Sequence, residues 1–299
     1  MGETLKRAIS GAIYIIILLT SILYSTESFF VLFGLFLIIT ISEFCNLIQI
    51  NKVAPILFGA VFYTSVTLIG HYNLVVSKIF NVIFHNNNNT ISISVNVEKL
   101  DTILLSITLI VSAKCILFLF NDKIQKISIS SKYLYLLGYI ILPFIFITKI
   151  SFGVKDYNPK IIIGLFILIW TNDTFAYIVG KSIGKNKLFE IISPKKTIEG
   201  FFGGVIFAIF AGYLISKYYI KATSEFSDKS ILIWTIIALI VGIMGTIGDL
   251  IESKFKRIAG VKDSGKIMPG HGGILDRLDS VIFVAPFVFV FYKILNYVS

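Results

Sequence analysis

The stretch SILIWTIIALIVGIMGTIGD, residues 230–249, carries no charge until its last residue. An α-helix rises 1.5 Å per residue, so about 20 such residues cross the ~30 Å hydrocarbon core of a bilayer. Charged residues follow at once: Glu252, Lys254, Lys256 and Arg257. The segment reads as a transmembrane helix that emerges at an aqueous surface near Asp249.

The pattern repeats along the chain. Of its 299 residues 56% are hydrophobic and 15% charged, against roughly 45–50% and 25% in soluble domains. Mean hydropathy is +0.87. Too few polar residues remain to solvate a globule, and the apolar ones come in long blocks. Candidate spans fall at 8–24, 28–50, 54–70, 102–120, 133–150, 160–180, 198–218, 230–249 and 279–298. The fold class is an all-α polytopic membrane protein of about nine transmembrane helices. The third span is the least defined, because 71–101 mixes apolar and polar residues and holds the Asn86–Asn89 run, which reads as a flexible loop. Lys6 and Arg7 precede the first apolar run, but no small-residue cleavage site follows it, so that run reads as a retained helix. Cys45 and Cys115 lie inside apolar runs and read as reduced packing residues. Residues 1–130 read as N-terminal transmembrane helices and 131–299 as a C-terminal transmembrane region that holds the loop 248–280.

Basic residues set the orientation. With the N-terminus cytoplasmic, the same-side segments carry 17 of the 27 Lys and Arg, among them Lys6, Arg7, Lys195, Lys196, Lys262 and Arg277, and the opposite side nine. Positive charge marks the cytoplasmic side. The formal net charge of +10 therefore concentrates where anionic lipids or substrates would meet it. Nucleic acid is a poor partner, since the basic residues are divided among loops between spans and no nucleic-acid module is visible.

Ionisable residues inside a membrane are expensive and mark function or pairing. Glu43, Lys114, Asp173, Glu199 and Asp249 are such residues, all in the cytoplasmic half. A purely structural reading pairs Glu43 with Lys114 across two helices.

Two loops on that side are dense in polar residues. In Ser193-Pro194-Lys195-Lys196-Thr197-Ile198-Glu199-Gly200, Thr197 is placed to cap the next helix, and Gly200, Gly203 and Gly204 allow close helix approach. Two lysines at the positive end of a helix dipole are unfavourable without an anion. The second loop, 248–280, places Asp249, Glu252, Ser253 and Lys256 on one helical face, and Asp276, Asp279 and Ser280 on another. Glycines, Pro269 and His271 lie between. Carboxylates without a Cys/His cluster suit a hard cation such as Mg²⁺, and adjacent Lys and Arg suit phosphates. No P-loop is present. A nucleotide–metal site at the cytoplasmic side is the natural reading, with His271 open to phosphate donation, proton transfer or loop bracing.

The run Ser253-x-Phe255-Lys256-Arg257-x4-Lys262-Asp263, followed by Pro269-x-His271-Gly272-Gly273-x2-Asp276-Arg277-x-Asp279, resembles the signature of the phosphatidate cytidylyltransferase, or CDP-diglyceride synthase, family. The blocks Asn172-Asp173-Thr174-Phe175-Ala176-Tyr177 and Ser193-Pro194-Lys195-Lys196-Thr197 resemble it too. Ile198 departs from the aromatic residue expected after Lys-Lys-Thr. The resemblance covers roughly the last 130 residues; the N-terminal half matches only in its apolar spans.

The resemblance implies an integral membrane enzyme of phospholipid biosynthesis that uses CTP and phosphatidate, giving CDP-diacylglycerol and pyrophosphate. It implies Mg²⁺ and a metal-binding pair at Asp249 and Asp276, and admits K⁺ as a second cation; Asp279 or Asp173 is placed to assist. The expected catalytic set is Asp249, Asp276, Lys262, Asp263, His271 and Arg277. The expected substrate-binding set is Lys195, Lys196, Thr197, Ser253, Lys256, Arg257, Gly272 and Gly273. A bacterial inner (cytoplasmic) membrane fits the charge bias, and a homodimer is expected only on the general frequency of two-fold symmetry. The rivals are a related enzyme acting on another lipid phosphate, and a transporter. Against the transporter, no internal repeat is evident and the charges gather in one half of the membrane rather than at its midplane. The Asp-Gly-x2-Ala-Arg motif of CDP-alcohol phosphotransferases is absent.

Overall fold

The computed structural model describes residues 3–71, 97–121, 127–152, 157–220 and 227–298. Helices α1 (Glu3–Tyr24), α2 (Thr26–Ile48) and α3 (Val53–His71) come first. Then come α4 (Val97–Phe120), α5 (Ile129–Ile150) and α6 (Pro159–Ile183). A two-stranded antiparallel ribbon follows, β1 (Lys187–Phe189) and β2 (Ser193–Thr197). The chain closes with α7 (Ile198–Tyr219), α8 (Ser227–Ile258) and α9 (Leu275–Val298). Among the described residues, eight helices are long and apolar enough to cross a membrane, and the third is a shorter apolar helix over Val53–Thr67. The chain is thus an integral, multi-pass helical membrane protein. The Asn86–Asn89 run lies outside the described residues.

The helix ends follow from local chemistry. Ser25 and Ser28 form a reciprocal capping box that starts α2 one residue after α1 ends. The Thr197 hydroxyl accepts from the Gly200 amide at 3.1 Å and starts α7 directly from β2. The 32 residues of α8 rise to about 48 Å, longer than the hydrocarbon core, so one end must project into water. Helix α5 is not uniform. A π-turn over Leu136–Ile141 interrupts it, a feature frequent at functional sites.

Packing is closest among α6, α7, α8 and α9. A side chain at Gly200 would run into the Ala176 carbonyl, one at Gly203 into Val179, and one at Gly204 into the backbone and amide of Asn172. The expected close approach at Gly200, Gly203 and Gly204 is therefore an α6–α7 crossing. It sets the end of β2, at Thr197, against Gly180 of α6 and Gly184 at its end. One apolar core runs through both halves of the chain, from Phe33 and Phe44 to Phe166, Phe255 and Phe283. Cys45 and Cys115 are both free and buried in it, as expected of packing residues.

The Glu43–Lys114 pair of the purely structural reading is not formed. Lys114 donates to the Ser131 hydroxyl at 3.1 Å and lies 5.5 Å from the centre of the Tyr135 ring. Glu43 turns to the loop before α9. The buried ammonium that does close a helix end is Lys254. It donates to the Phe118 and Asn121 carbonyls, each at 2.5 Å, where α4 ends, and this end of a helix dipole favours a cation.

Gly204→Leu should force α6 and α7 apart at a backbone contact. Overpacking of this kind costs about 1–3 kcal/mol, read as a lowered midpoint of thermal unfolding in detergent.

Candidate active site

Three elements converge at the end of the bundle that holds the start of α1. The last turns of α8 carry Asp249, Glu252, Ser253 and Lys256. The first turns of α9 carry Asp276, Arg277 and Asp279. The loop between them folds back over both.

Asp276 organises that loop. Its Oδ1 accepts from Lys256 Nζ at 2.7 Å, and its Oδ2 accepts from the Ser264 amide (2.8 Å), the Ser264 hydroxyl (2.8 Å) and the Gly273 amide (2.7 Å). The side chain is 6% exposed. Buried carboxylates need donors, and here four are supplied. Gly272 adopts φ 88°, and a Cβ there would overlap Asp276 Oδ2. Gly273 is equally constrained by Glu43. The two glycines expected to bind substrate thus give carboxylates their approach to the backbone.

Glu43, from α2, forms the second anchor. It accepts from the Leu275 amide at 2.8 Å, the Ile274 amide at 3.2 Å and the Ser264 hydroxyl at 3.4 Å. These amides are the free donors at the start of α9, and the positive end of its dipole meets the carboxylate. Glu43 acts as a cap supplied by a distant helix.

The carboxylates that come together around open coordination are Asp249, Glu252 and Asp279, each offering an oxygen within 4.8 Å of the others. Glu252 is fully buried. It is ion-paired to Lys256, and its Oε1 meets no hydrogen-bond donor among the described residues. Asp249 pairs with Lys196 at 2.6 Å and accepts from the Ser253 hydroxyl at 3.2 Å. Asp279 accepts from the Ser280 amide at 2.6 Å. Asp173 on α6 lies within electrostatic range of Asp249, Lys196 and Arg277. Three acidic oxygens this close, one of them without a donor, suit a hard divalent cation. Asp276 is not in this trio. Asp276, expected to share a metal with Asp249, has its oxygens taken up by Lys256, Ser264 and Gly273.

The positive groups divide in the same way. Lys256 is buried between Glu252 and Asp276. Burial works to lower the Lys196 pKa, but Asp249 and Asp173 outweigh it, so Lys196 titrates above its ordinary value and remains an ammonium. Arg257 donates to the Ile192 and Val261 carbonyls and ties the ribbon to the end of α8. Thr197 is used as a cap, and Ser253 as a donor to Asp249. Lys195, Lys262 and Asp263 are exposed. Arg277 is exposed and donates to the His271 carbonyl at 3.1 Å. His271 Nδ1 lies 2.8 Å from the Ser10 hydroxyl of α1. Partial burial, with Arg277 and Arg7 nearby, lowers the His271 pKa, so its ring is neutral at pH 7.

The sequence passed over three residues here. Glu252 was visible on the Asp249 face but received no role. Ser264 carried no signal. Glu43 was noticed only as an intramembrane charge, because nothing local links it to a loop 220 residues away.

Fold and site together define a polytopic helical membrane protein with a carboxylate–lysine centre at one end of its bundle. The match to known proteins is more specific: residues 5–295 fit the sequence model of the Cytidylyltransferase family, and the chain belongs to that family. A phosphatidate cytidylyltransferase of Staphylococcus epidermidis is 46% identical over 129 residues, which cover 42% of this chain and 46% of that protein. Phosphatidate cytidylyltransferases of Staphylococcus saprophyticus and Staphylococcus aureus are each 49% identical over 123 residues, 40% of this chain and 44% of theirs. The chain spans about half the length of the curated relatives it matches.

Glu43→Ala would strand the Ile274 and Leu275 amides in a buried setting. A loss of about 1–3 kcal/mol is expected, with hydrogen exchange of the 264–275 amides accelerating more than that of α6.

Proposed function

We propose that the protein is a phosphatidate cytidylyltransferase, joining CTP and phosphatidate to give CDP-diacylglycerol and pyrophosphate. The observation that carries this reading is the trio Asp249, Glu252 and Asp279 flanked by Lys196, at one end of a membrane-spanning bundle in a chain of this family. The same end holds most of the basic residues, which favours a cytoplasmic location. CTP reaches such a site from water and phosphatidate from the leaflet. The bacterial source of the relatives supports a cytoplasmic membrane as its home.

Phosphatidate carries a phosphate monoester that is already anionic near neutral pH, so its oxygen needs no strong base. The obstacle is repulsion between two polyanions. That oxygen attacks the α-phosphorus of CTP, the bond from the α-phosphorus to the bridging oxygen of the β-phosphate breaks, and pyrophosphate departs with the electron pair. Asp249, Glu252 and Asp279 would hold Mg²⁺. When bound, Mg²⁺ supplies charge neutralisation and alignment of the attacking and leaving oxygens. Lys196 reaches the trio from α7's start and stays charged, so it is placed to meet a phosphate oxygen at the helix N-terminus. Lys195, Lys262 and Arg277 are exposed around it and offer further neutralisation. Lys256 holds Glu252 and Asp276 in place. His271, neutral and held against Ser10, braces the loop.

The direct test supplies detergent-purified protein with phosphatidate, radiolabelled CTP and Mg²⁺, and counts CDP-diacylglycerol in the organic phase, with EDTA as control. Asp279→Asn keeps the shape but removes a charge from the trio, and turnover should fall about 10²-fold or more. Metal-independent product, or near-normal turnover in that variant, would overturn the assignment. Lys195→Ala should mainly raise the apparent KM for CTP or phosphatidate. An unchanged KM for both would remove Lys195 from the binding surface. No product with phosphatidate, but product with another lipid phosphate, would move the acceptor and keep the chemistry.

A further inference from the structure

The tip of the loop before α9 is a tight turn. The Met268 amide donates to the Gly272 carbonyl and the His271 amide to the Met268 carbonyl, each at 2.9 Å. Helix α1 lies against this turn. Its Ser10 hydroxyl is 3.0 Å from the Pro269 carbonyl and 2.8 Å from His271 Nδ1. A Cβ on Gly11 would stand 3.3 Å from the His271 ring. Gly270 takes φ 79°, and a Cβ there would stand 2.6 Å from Arg7 Cγ. The stem of Arg7 thus crosses the backbone of Gly270, which only a glycine permits.

Two guanidinium side chains therefore meet adjacent residues of one turn. Arg7 lies over Gly270, and Arg277 donates to the His271 carbonyl at 3.1 Å. Both are exposed. Neither takes part in an ion pair among the described residues. A guanidinium carries five N–H donors and no acceptor, so most of this donor capacity is open. Two cations gathered on one turn repel each other unless an anion lies between them.

Position selects the anion. Arg7 stands near the start of the apolar span Leu5–Tyr24, at the level of lipid headgroups. Farther along α1, Ile9, Ile13, Ile16 and Ile17 are exposed, an outer face suited to acyl chains. Arg277 shares the first turns of α9 with Asp279 of the carboxylate trio. An anion between the two arginines is thus reached from the leaflet and lies on the way to the trio. A phosphate monoester offers several oxygens to planar N–H forks, the geometry that favours arginine over lysine.

We propose that Arg7 and Arg277 seat the phosphate monoester of the lipid substrate, with the Ser10–His271 contact fastening α1 to the turn. The inference rests on the proposed function and deepens it. It adds a substrate-binding residue from the first helix, far in sequence from the loop 248–280.

The test uses the full-length protein in detergent. Turnover is measured against the mole fraction of phosphatidate and against CTP, and binding of dihexanoyl phosphatidate without CTP is followed by calorimetry. Arg7→Gln keeps the stem over Gly270 and removes the charge. It should raise the KM for phosphatidate and weaken dihexanoyl phosphatidate binding, each by about 10-fold or more, with the KM for CTP unchanged. Arg7→Lys should recover part of the loss. Lys6→Gln removes a neighbouring exposed charge from the same helix and should change neither quantity. Dihexanoyl phosphatidylglycerol, a phosphate diester, and inorganic phosphate should not displace the bound phosphatidate. Unaltered phosphatidate KM and binding in Arg7→Gln overturn the seat and leave the enzymatic reading standing. An equal loss in Lys6→Gln, or displacement by phosphatidylglycerol, assigns the effect to surface charge at large and also overturns it. A raised KM for CTP alone moves Arg7 to the nucleotide and overturns it too. A wild type that makes no CDP-diacylglycerol overturns the enzymatic reading, and the inference with it.

Discussion

The buried carboxylate of Asp276 is the joint on which this end of the molecule depends. One oxygen takes the ammonium of Lys256, and the other takes three donors from Ser264 and Gly273. In a single side chain, α8, the connecting loop and α9 are bound together. The geometry is demanding, because a buried charge is tolerated only when its hydrogen-bonding capacity is filled. Gly272 and Gly273 exist at this point because a Cβ at either would overlap a carboxylate. Glu43 completes the joint from α2 by closing the open amides of α9. The loop is thereby fixed to the bundle on two sides.

With the loop held, the remaining carboxylates stand close to one another without enough donors. Asp249, Glu252 and Asp279 share one small space, and like charges at that distance repel. Lys196 and Lys256 offset part of the repulsion from opposite sides. Lys256 is fully engaged within the protein, whereas Lys196 comes from the ribbon and is 28% exposed at its side chain. A divalent cation and a phosphate would complete the balance. On the proposed function, that electrostatic deficit lies where an anionic nucleotide and an anionic lipid would meet.

The helical frame is what allows charge to collect so near the membrane. Glycines at the α6–α7 crossing let two helices approach until backbone meets backbone, with Gly204 against Asn172 and the start of α7 against Gly180 of α6 and Gly184 at its end. Helix α8 is long enough to carry its acidic face beyond the hydrocarbon core. Helix α4 ends on the buried ammonium of Lys254, whose charge suits the negative end of the helix dipole. Aromatic rings from α2, α5 and α8 fill the layer beneath the site around Phe255.

The sequence by itself determined the helical membrane class, the number of apolar segments, and the two loops rich in carboxylates and lysines. Those are properties of composition and of helical spacing, which act locally. Asp249, Asp279 and Lys196 were legible in this way, as was the cap at Thr197. Only the tertiary structure decided how the charges are shared. It sent Glu43 to the start of α9 rather than to Lys114, drew Asp276 into the loop, and put Glu252 beside Asp249 and Asp279. The physical reason is that a buried charge takes whichever partner the fold delivers, and its choice among several candidates depends on distances that no linear spacing encodes.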